Sequence, residues 1–146
     1  MKTLLTNNKL NLNYEVDSKY EAGMSLLGKE VKSLLHADAG INEAFVLIKN
    51  NQAYLINMYI APLKNALNEH YEPKRKRKLL LNKHEIINID YQTKKNKFAI
   101  IASSVYIKNG KIKIEIALAR AKRKHDKRES IKERDAIKFS KKFISK

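Results

Sequence analysis

Residues 98–119 read FAIIASSVYIKNGKIKIEIALA, and this stretch decides the fold. Its second half places an apolar residue at every second position from 112 to 118, a period that is typical of a strand with one buried face. Its first half is a second apolar run, residues 98–107. The two runs are joined by Lys108-Asn109-Gly110, and Asn-Gly favours a tight hairpin turn. The stretch therefore predicts two long antiparallel strands.

Shorter strands are predicted upstream of this hairpin. Residues 45–48 and 54–56 are apolar and flank Lys49-Asn50-Asn51-Gln52, which is the spacing of a second hairpin whose later strand continues to residue 60. Apolar and polar residues also alternate at the start of segment 11–23, and the alternation predicts a first strand there. Residues 1–10 are polar and are expected to be flexible, and residues 64–72 lack periodicity and are expected to form a mobile loop.

Two segments have the composition of helices. In the first, the apolar residues lie on one helical face, so we expect the polar residues to face solvent. The apolar set is Leu27, Val31, Leu34 and Leu35, and the polar set is Lys29, Glu30, Lys32 and Ser33. The second helix is predicted over residues 76–88, with cations in its first turn, and residues 91–97 are predicted to form a basic turn.

Strands arranged in hairpins, with helices between them, predict a mainly β fold with some α structure. We expect a small closed antiparallel barrel of the oligonucleotide-binding type, with two or three flanking helices. The 146 residues divide into three predicted parts: a flexible start over residues 1–10, the barrel domain over 11–120, and a basic tail over 121–146. This leaves enough chain in the barrel for a hydrophobic core.

The charge of the chain points to a polyanionic partner. The formal net charge is +16, and residues 120–146 carry 12 basic residues against 4 acidic ones. A segment of this composition cannot fold by burying apolar surface, so we expect a tail that is disordered alone and becomes helical when RNA holds it. In such a helix Ala136, Phe139 and Phe143 would share one side. The alternative is an amphipathic helix folded onto the domain.

Several function classes are excluded by composition. The chain has no cysteine, so a disulfide framework, a thiolate metal site and a cysteine nucleophile are ruled out. The four histidines are unclustered, His125 has no recognisable catalytic partner, and there is no Gly-rich phosphate loop. We therefore expect no enzyme, no metal and no cofactor. No apolar run reaches the length of a membrane span or a signal peptide, which predicts a cytoplasmic protein without a membrane partner.

Four separated motifs resemble the SsrA-binding protein family, also called small protein B. The first is YEAG at 20–23, followed by GKEVKSL at 28–34, and the second is the basic run that precedes the leucine triplet at 79–81. The third is ALAR at 117–120, and the fourth is HDKR at 125–128. The chain departs from the family's usual pattern at Lys29, Leu35 and the His70-Tyr71 pair.

The resemblance implies a non-enzymatic, monomeric partner of transfer-messenger RNA in ribosome rescue. The barrel and first helix would hold the tRNA-like part of that RNA, while the tail would enter the empty messenger channel of a stalled ribosome and meet small-subunit ribosomal RNA at the decoding site. The implied RNA contacts of the domain and the start of the tail are Glu30, Lys32, Arg75, Arg77, Lys78, Arg120, Lys122 and Lys124. The implied ribosome contacts of the tail are His125, Asp126, Lys127, Arg128, Lys132 and Arg134.

Three other interpretations remain open from composition. A generic single-stranded RNA-binding protein would bind structured and unstructured RNA equally well. A peripheral membrane protein would use the tail as a basic amphipathic helix on anionic lipid. The run KRKRK at 74–78 also has the composition of a nuclear-localisation signal, although it leads into an apolar segment rather than lying in a polar linker.

Overall fold

A computed structural model describes residues 1–63 and 70–122. The fold of this part is mainly β with some helices, as predicted. The helices are α1 (Leu10–Asn13), α2 (Gly28–Leu35) and α3 (Lys83–Asn96). The strands are β1 (Lys2–Thr6), β2 (Tyr14–Met24), β3 (Ala39–Gly40), β4 (Phe45–Lys49), β5 (Gln52–Ile56), β6 (Tyr59–Ile60), β7 (Arg77–Leu80), β8 (Ala99–Lys108) and β9 (Lys111–Ala121).

Seven of these strands form one antiparallel sheet. Their order is β1-β8-β4-β5-β7-β2-β9, and β8 also pairs with β9, so the pairings that lead from β8 through β4, β5, β7, β2 and β9 return to β8. The two ladders of β9, with β2 and with β8, are long, whereas β4 meets β8 at a single residue pair. Strands β3 and β6 form a separate pair.

Both predicted hairpins are confirmed, but the later strand of the second one ends at Ile56 rather than residue 60, because Asn57 has a positive φ and residues 59–60 pair with β3 instead. Strands β8 and β9 are joined at the pair Lys108↔Lys111, and the two residues between them have positive φ, 53° for Asn109 and 73° for Gly110. Strands β4 and β5 are joined across Asn50 and Asn51, whose φ values are 53° and 58°. Positive φ at both central residues matches the right-handed twist of paired strands, and glycine and asparagine adopt it at the lowest cost.

The core lies on the inward face of this sheet. On β9 the side chains of Ile114, Ile116 and Leu118 are fully buried, as their alternation predicts. They pack with buried residues from every other strand of the ring of pairings and with Leu34 of α2 and Ile89 of α3. The opposite face of β9 is also covered near its end, because Ala117 packs against Leu10 of α1.

The start of the chain differs from its prediction. Residues 2–6 form β1, which pairs with the second half of β8, and Leu4 and Leu5 pack against the core. The prediction of a frayed start is therefore wrong, because a long neighbouring strand supplies hydrogen-bond partners that the local sequence does not reveal. The predicted first strand begins only at Tyr14, since residues 10–13 form the helical turn α1.

The helix predicted over residues 76–88 is confirmed for residues 83–88 and wrong for its first part. Residues 77–80 form β7, in which Arg77 and Leu79 are buried while Lys78 and Leu80 are exposed. The helix α3 begins after Asn82, whose N–H donates to Glu85 Oε1 at 3.3 Å, and it continues through the predicted turn to Asn96. The alternation that marks β7 was hidden because one of its two buried side chains is an arginine.

Candidate nucleic-acid interface

Glu30 lies in the first turn of α2, and its carboxylate is fully buried. Oε1 accepts hydrogen bonds from the Leu27 N–H at 2.9 Å and from the Arg75 guanidinium. Oε2 accepts them from Arg77 Nε at 2.7 Å and from the Tyr71 hydroxyl at 3.0 Å. The prediction that Glu30 faces solvent is therefore wrong. Two arginines make its burial possible by supplying opposite charge and several donors.

Arg77 is the inward-facing partner of this carboxylate, and its side chain is also fully buried. Its remaining donors bond to the carbonyls of Met58 at 2.6 Å and Pro73 at 2.9 Å and to the Tyr71 hydroxyl at 3.0 Å. Arg75 is 29% exposed at its side chain and also bonds to Glu30. The resulting ion-pair network joins α2, the segment that follows residue 70, and β7.

The network is ionised at neutral pH. Burial alone would raise the pKa of Glu30, but the hydrogen bonds from Arg75, the Leu27 N–H and Arg77 outweigh it and hold that pKa at about 2. Burial, followed by the hydrogen bond to Glu30, raises the pKa of Tyr71. Tyr71 therefore stays protonated, and the two arginines exceed the single carboxylate by one positive charge.

The polar face predicted for α2 is divided between core and solvent. Ser33 is buried and its hydroxyl donates to the Ala61 carbonyl at 2.7 Å, whereas Lys32 is exposed. Of the apolar residues expected on the core face, Leu27 and Leu35 are 43% and 50% exposed. Helix α2 is thus rotated about its axis relative to the predicted orientation, in which all of its apolar residues would face the core. The rotation is possible because the buried Glu30 and Ser33 side chains have hydrogen-bond partners in the interior.

The structure separates the predicted contact residues of the domain into three groups. Glu30 and Arg77 are buried and have no surface to offer RNA, so a direct contact by either side chain does not fit the structure. Arg75 is partly exposed, and Lys32 and Lys78 are exposed. Arg120 lies at the far end of β9, where its guanidinium is 5.4 Å from the centroid of the Phe98 ring.

Lys122, the last described residue, is hydrogen-bonded to the start of the domain. Its N–H donates to the Asn13 carbonyl at 2.8 Å, and its Nζ donates to the Asn11 carbonyl at 2.7 Å. The chain therefore leaves the domain beside α1. The other predicted tail contacts lie outside the described residues. They are Lys124, His125, Asp126, Lys127, Arg128, Lys132 and Arg134.

The sequence did not predict the contacts of three side chains, Tyr71, Lys29 and Tyr106. Tyr71 joins the buried network, and the Lys29 ammonium lies 4.7 Å from the centroid of its ring. The Tyr106 hydroxyl donates at 2.6 Å to Glu21, the acidic residue of the YEAG motif. A tyrosine that ends a polar loop just before a basic run is a usable signal for Tyr71, but Tyr106 is not distinguishable from other strand residues by its spacing.

The glycine of the same motif has a steric role. Gly23 pairs with Leu80 between β2 and β7, and a Cβ at Gly23 would lie 3.2 Å from the Cβ of Leu80. The absence of a side chain therefore allows β7 to pair closely with β2. Close pairing at this point also fixes the position of the basic segment that leads into β7.

The described part of the chain has no helix long and apolar enough to cross a membrane. Residues 1–63 and 70–122 also contain no group of three or more histidine, aspartate or glutamate side chains that could hold a metal ion.

Known proteins match the chain over almost its full length. The family model described as "SmpB protein" matches residues 4–146. An SsrA-binding protein of Persephonella marina is 46% identical over 100% of this chain and 97% of its own length. One of Malacoplasma penetrans is 44% identical over 99% of both chains. A solved structure described as "tmRNA-SmpB: a journey to the center of the bacterial ribosome" is 34% identical, has a TM-score of 0.69, and is matched over 87% of this chain and 93% of its own.

Proposed function

The chain belongs to the SmpB protein family, and we propose that it binds the tRNA-like part of transfer-messenger RNA and delivers that RNA to stalled ribosomes. The role is one of binding, without catalysis, and the site of action is the cytoplasm. The observation that carries the proposal is the match of both sequence and fold to relatives named for this RNA. The net charge of +16 supports a polyanionic partner.

The architecture that we propose for the binding domain is a closed barrel of the oligonucleotide-binding type. The cyclic order of strand pairings supports it, as does the burial of β9 residues on the inward face. Helices α2 and α3 would then flank the barrel. A closed sheet is a rigid support for side chains that bind RNA, because it has few free edges and little freedom to deform.

The buried network explains how the RNA-binding cations are held. Glu30 and Arg77 link the first turn of α2 to β7 through hydrogen bonds that are shielded from water. Lys32 on α2 and Lys78 on β7 are exposed on the two elements that this link connects. Glu30 and Arg77 are therefore positioning residues, and Lys32, Arg75 and Lys78 are the residues that contact phosphate. A preorganised set of cations loses less entropy when RNA binds.

In this proposal the basic tail makes the contacts with the ribosome. Arg120, Lys122 and Lys124 would continue the RNA contact as the chain leaves the domain, and the basic residues beyond them would neutralise ribosomal RNA phosphates in the empty messenger channel. His125, at the start of the HDKR motif, would meet the decoding site. The remaining contacts of this proposal are Asp126, Lys127, Arg128, Lys132 and Arg134.

A truncation separates the two halves of this proposal. The cut belongs after Lys122, because β9 extends to Ala121 and Lys122 bonds to Asn13. We expect the truncated protein to retain most of its affinity for transfer-messenger RNA and to bind that RNA more tightly than an unstructured RNA of equal length. We expect it to lose peptide tagging on stalled ribosomes. If neither the truncated nor the full-length protein prefers transfer-messenger RNA, the proposed function is wrong and a generic single-stranded RNA binder is the better account.

The phosphate contacts are tested by salt dependence. Replacing Lys78 by glutamine is expected to reduce the slope of log affinity against log salt by about 0.7 to 0.9, since each phosphate contact releases condensed counterions. Lys111 is a matched control, because it is also exposed but lies beside the turn between β8 and β9. An unchanged slope for Lys78→Gln would remove this residue from the phosphate contacts.

A further inference from the structure

The outward face of β4, β5 and β7 combines an aromatic ring with exposed apolar and cationic side chains. Phosphate binding would involve only the cations. Tyr54, in the middle of β5, pairs with Leu47 of β4 on one side and with Lys78 of β7 on the other. Leu47 is 53% exposed and Leu80 is 56% exposed. A half-buried aromatic ring thus lies between exposed apolar and cationic side chains on a paired, regular sheet.

The ring of Tyr54 is held in a fixed position. Its hydroxyl donates to Gln52 Oε1 at 2.9 Å. The ammonium of Lys76 lies over the ring, 4.4 Å from its centroid. A tyrosine held by the strand and by its hydroxyl loses little conformational freedom when a planar group stacks on it, and the position of Lys76 shows that one face of the ring is open to a ligand.

A groove of about 620 Å³ lies beside Lys78, the β7 residue that pairs with Tyr54. The β4–β5 turn, the end of β7 and the first turn of α3 line it, and its polar lining residues include Asn50, Asn51, Lys78 and Lys83. Amide groups can bond to the edges of bases, and lysine binds phosphate as a point charge.

The charge of this face identifies the class of its ligand. Residues 45–56 and 76–83 contain four lysines and no aspartate or glutamate, and their one arginine, Arg77, is buried and does not contribute to this face. An exposed apolar patch without charge would fit a protein partner. A patch that combines a half-buried ring, flanking exposed leucines and an excess of lysine fits a single-stranded nucleic acid, whose bases stack and whose phosphates need cations.

We propose that this face binds an unpaired nucleotide of the RNA partner, with its base stacked on Tyr54 and the adjoining phosphates bound by Lys76 and Lys78. The inference rests on the proposed function and names a recognition site within it. The Lys76 ammonium and a base compete for the same side of the ring. When RNA binds, a phosphate attracts that ammonium away from the ring, and the base takes its place.

Three tyrosine variants test the stacking contact, with the tRNA-like domain of transfer-messenger RNA as the probe. Tyr54→Ala is expected to lower the affinity by about fivefold to a hundredfold, the range of a lost base–aromatic stack. Tyr54→Phe keeps the ring and is expected to stay within about twofold of the wild type. The matched control is Tyr91→Ala, because Tyr91 is 60% exposed with Lys95 at 5.6 Å from its ring centroid but lies on α3.

Cross-linking provides a readout that does not depend on the variants folding. Ultraviolet irradiation of the full-length protein with the same RNA, followed by digestion and mass spectrometry, is expected to recover a nucleotide attached to Tyr54. The absence of this adduct, with adducts found elsewhere on the protein, would overturn the proposal. So would a folded Tyr54→Ala variant with wild-type affinity.

The outcomes also distinguish this inference from the proposed function. If the wild-type protein prefers the tRNA-like domain over unstructured RNA and Tyr54→Ala does so equally well, the stacking site is wrong and the function stands. If the wild-type protein shows no preference, the function itself fails. If Tyr54→Ala and Tyr91→Ala weaken binding equally, the effect is not specific to this face and the stacking site is again wrong.

Discussion

Replacing Glu30 by glutamine is the sharpest test of the buried network. The change keeps the size and most of the shape of the side chain but removes its charge, so that Arg77 remains fully buried without a carboxylate. Glutamine also brings an NH₂ donor toward guanidinium groups that are themselves donors only. The variant therefore leaves a buried cation whose hydrogen bonds are only partly satisfied.

Two independent routes give the size of the effect. Removing one partner of a buried ion pair costs about 3 to 5 kcal/mol. The pKa of Glu30 falls from 4.5 to about 2 on folding, and a shift of this size corresponds to about 3 kcal/mol. For a folded unit of roughly 110 to 120 residues, a loss of about 3 kcal/mol lowers Tm by about 10 to 15 °C.

The assay is denaturant unfolding of the wild type and Glu30→Gln between pH 7 and pH 2. The carboxylate has a lower pKa in the folded chain, so its contribution is complete above about pH 4.5 and is lost as the pH falls toward 2. The two proteins should therefore differ by about 3 kcal/mol at pH 7 and converge in acid. Glu43→Gln is the control, because its ion pair with Lys9 is exposed, and we expect a change below about 0.5 kcal/mol.

A difference below about 1 kcal/mol at pH 7, or a difference that does not shrink in acid, would refute the account of the network. Adding Arg77→Met to Glu30→Gln removes the unpaired cation, and we expect it to recover part of the lost stability. A double variant less stable than the sum of the two single changes would contradict the assigned pairing.

Three further predictions concern single contacts. Gly110→Ala is expected to lower the free energy of unfolding by about 1 kcal/mol, measured in denaturant, because an L side chain is strained at its φ of 73°. Ser33→Ala should cost about 1 kcal/mol in the same assay, since the Ala61 carbonyl loses its hydroxyl donor; no change would mean that water replaces the donor. The Tyr106 hydrogen bond lowers the pKa of Glu21, so Tyr106→Phe should raise that pKa in a carboxyl NMR titration, and an unchanged value would contradict this cause.

The hairpins were predictable because their signals are local. Asn109-Gly110 and Asn50-Asn51 lie at turns that need positive φ, and apolar or alternating segments flank both turns along the paired strands. Local sequence contains all of this information, since turn type and side-chain period depend on neighbouring residues only.

The buried network was not predictable because its partners are distant in sequence. Arg77 and Glu30 each look like surface residues by type, and burial of either alone would be costly. Only the fold brings them within 2.7 Å of one another. Once a buried arginine is allowed, the alternation in residues 77–80 predicts a strand, and the rotation of α2 follows as well. Lys78 is exposed in the same strand, as expected for a lysine without a buried partner.

The ladder between β2 and β9 has a consequence for the order in which the protein folds. It joins Tyr14 to Ala121, close to the two ends of the described chain. Such nonlocal pairing slows folding, because a long loop must close before the contacts that stabilise it can form. During synthesis, the ladders of β2 and β8 with β9 form only after β9, the last of the described strands, has been made. A chain that is cut before residue 111 therefore lacks the strand that pairs with both, and it cannot complete the sheet.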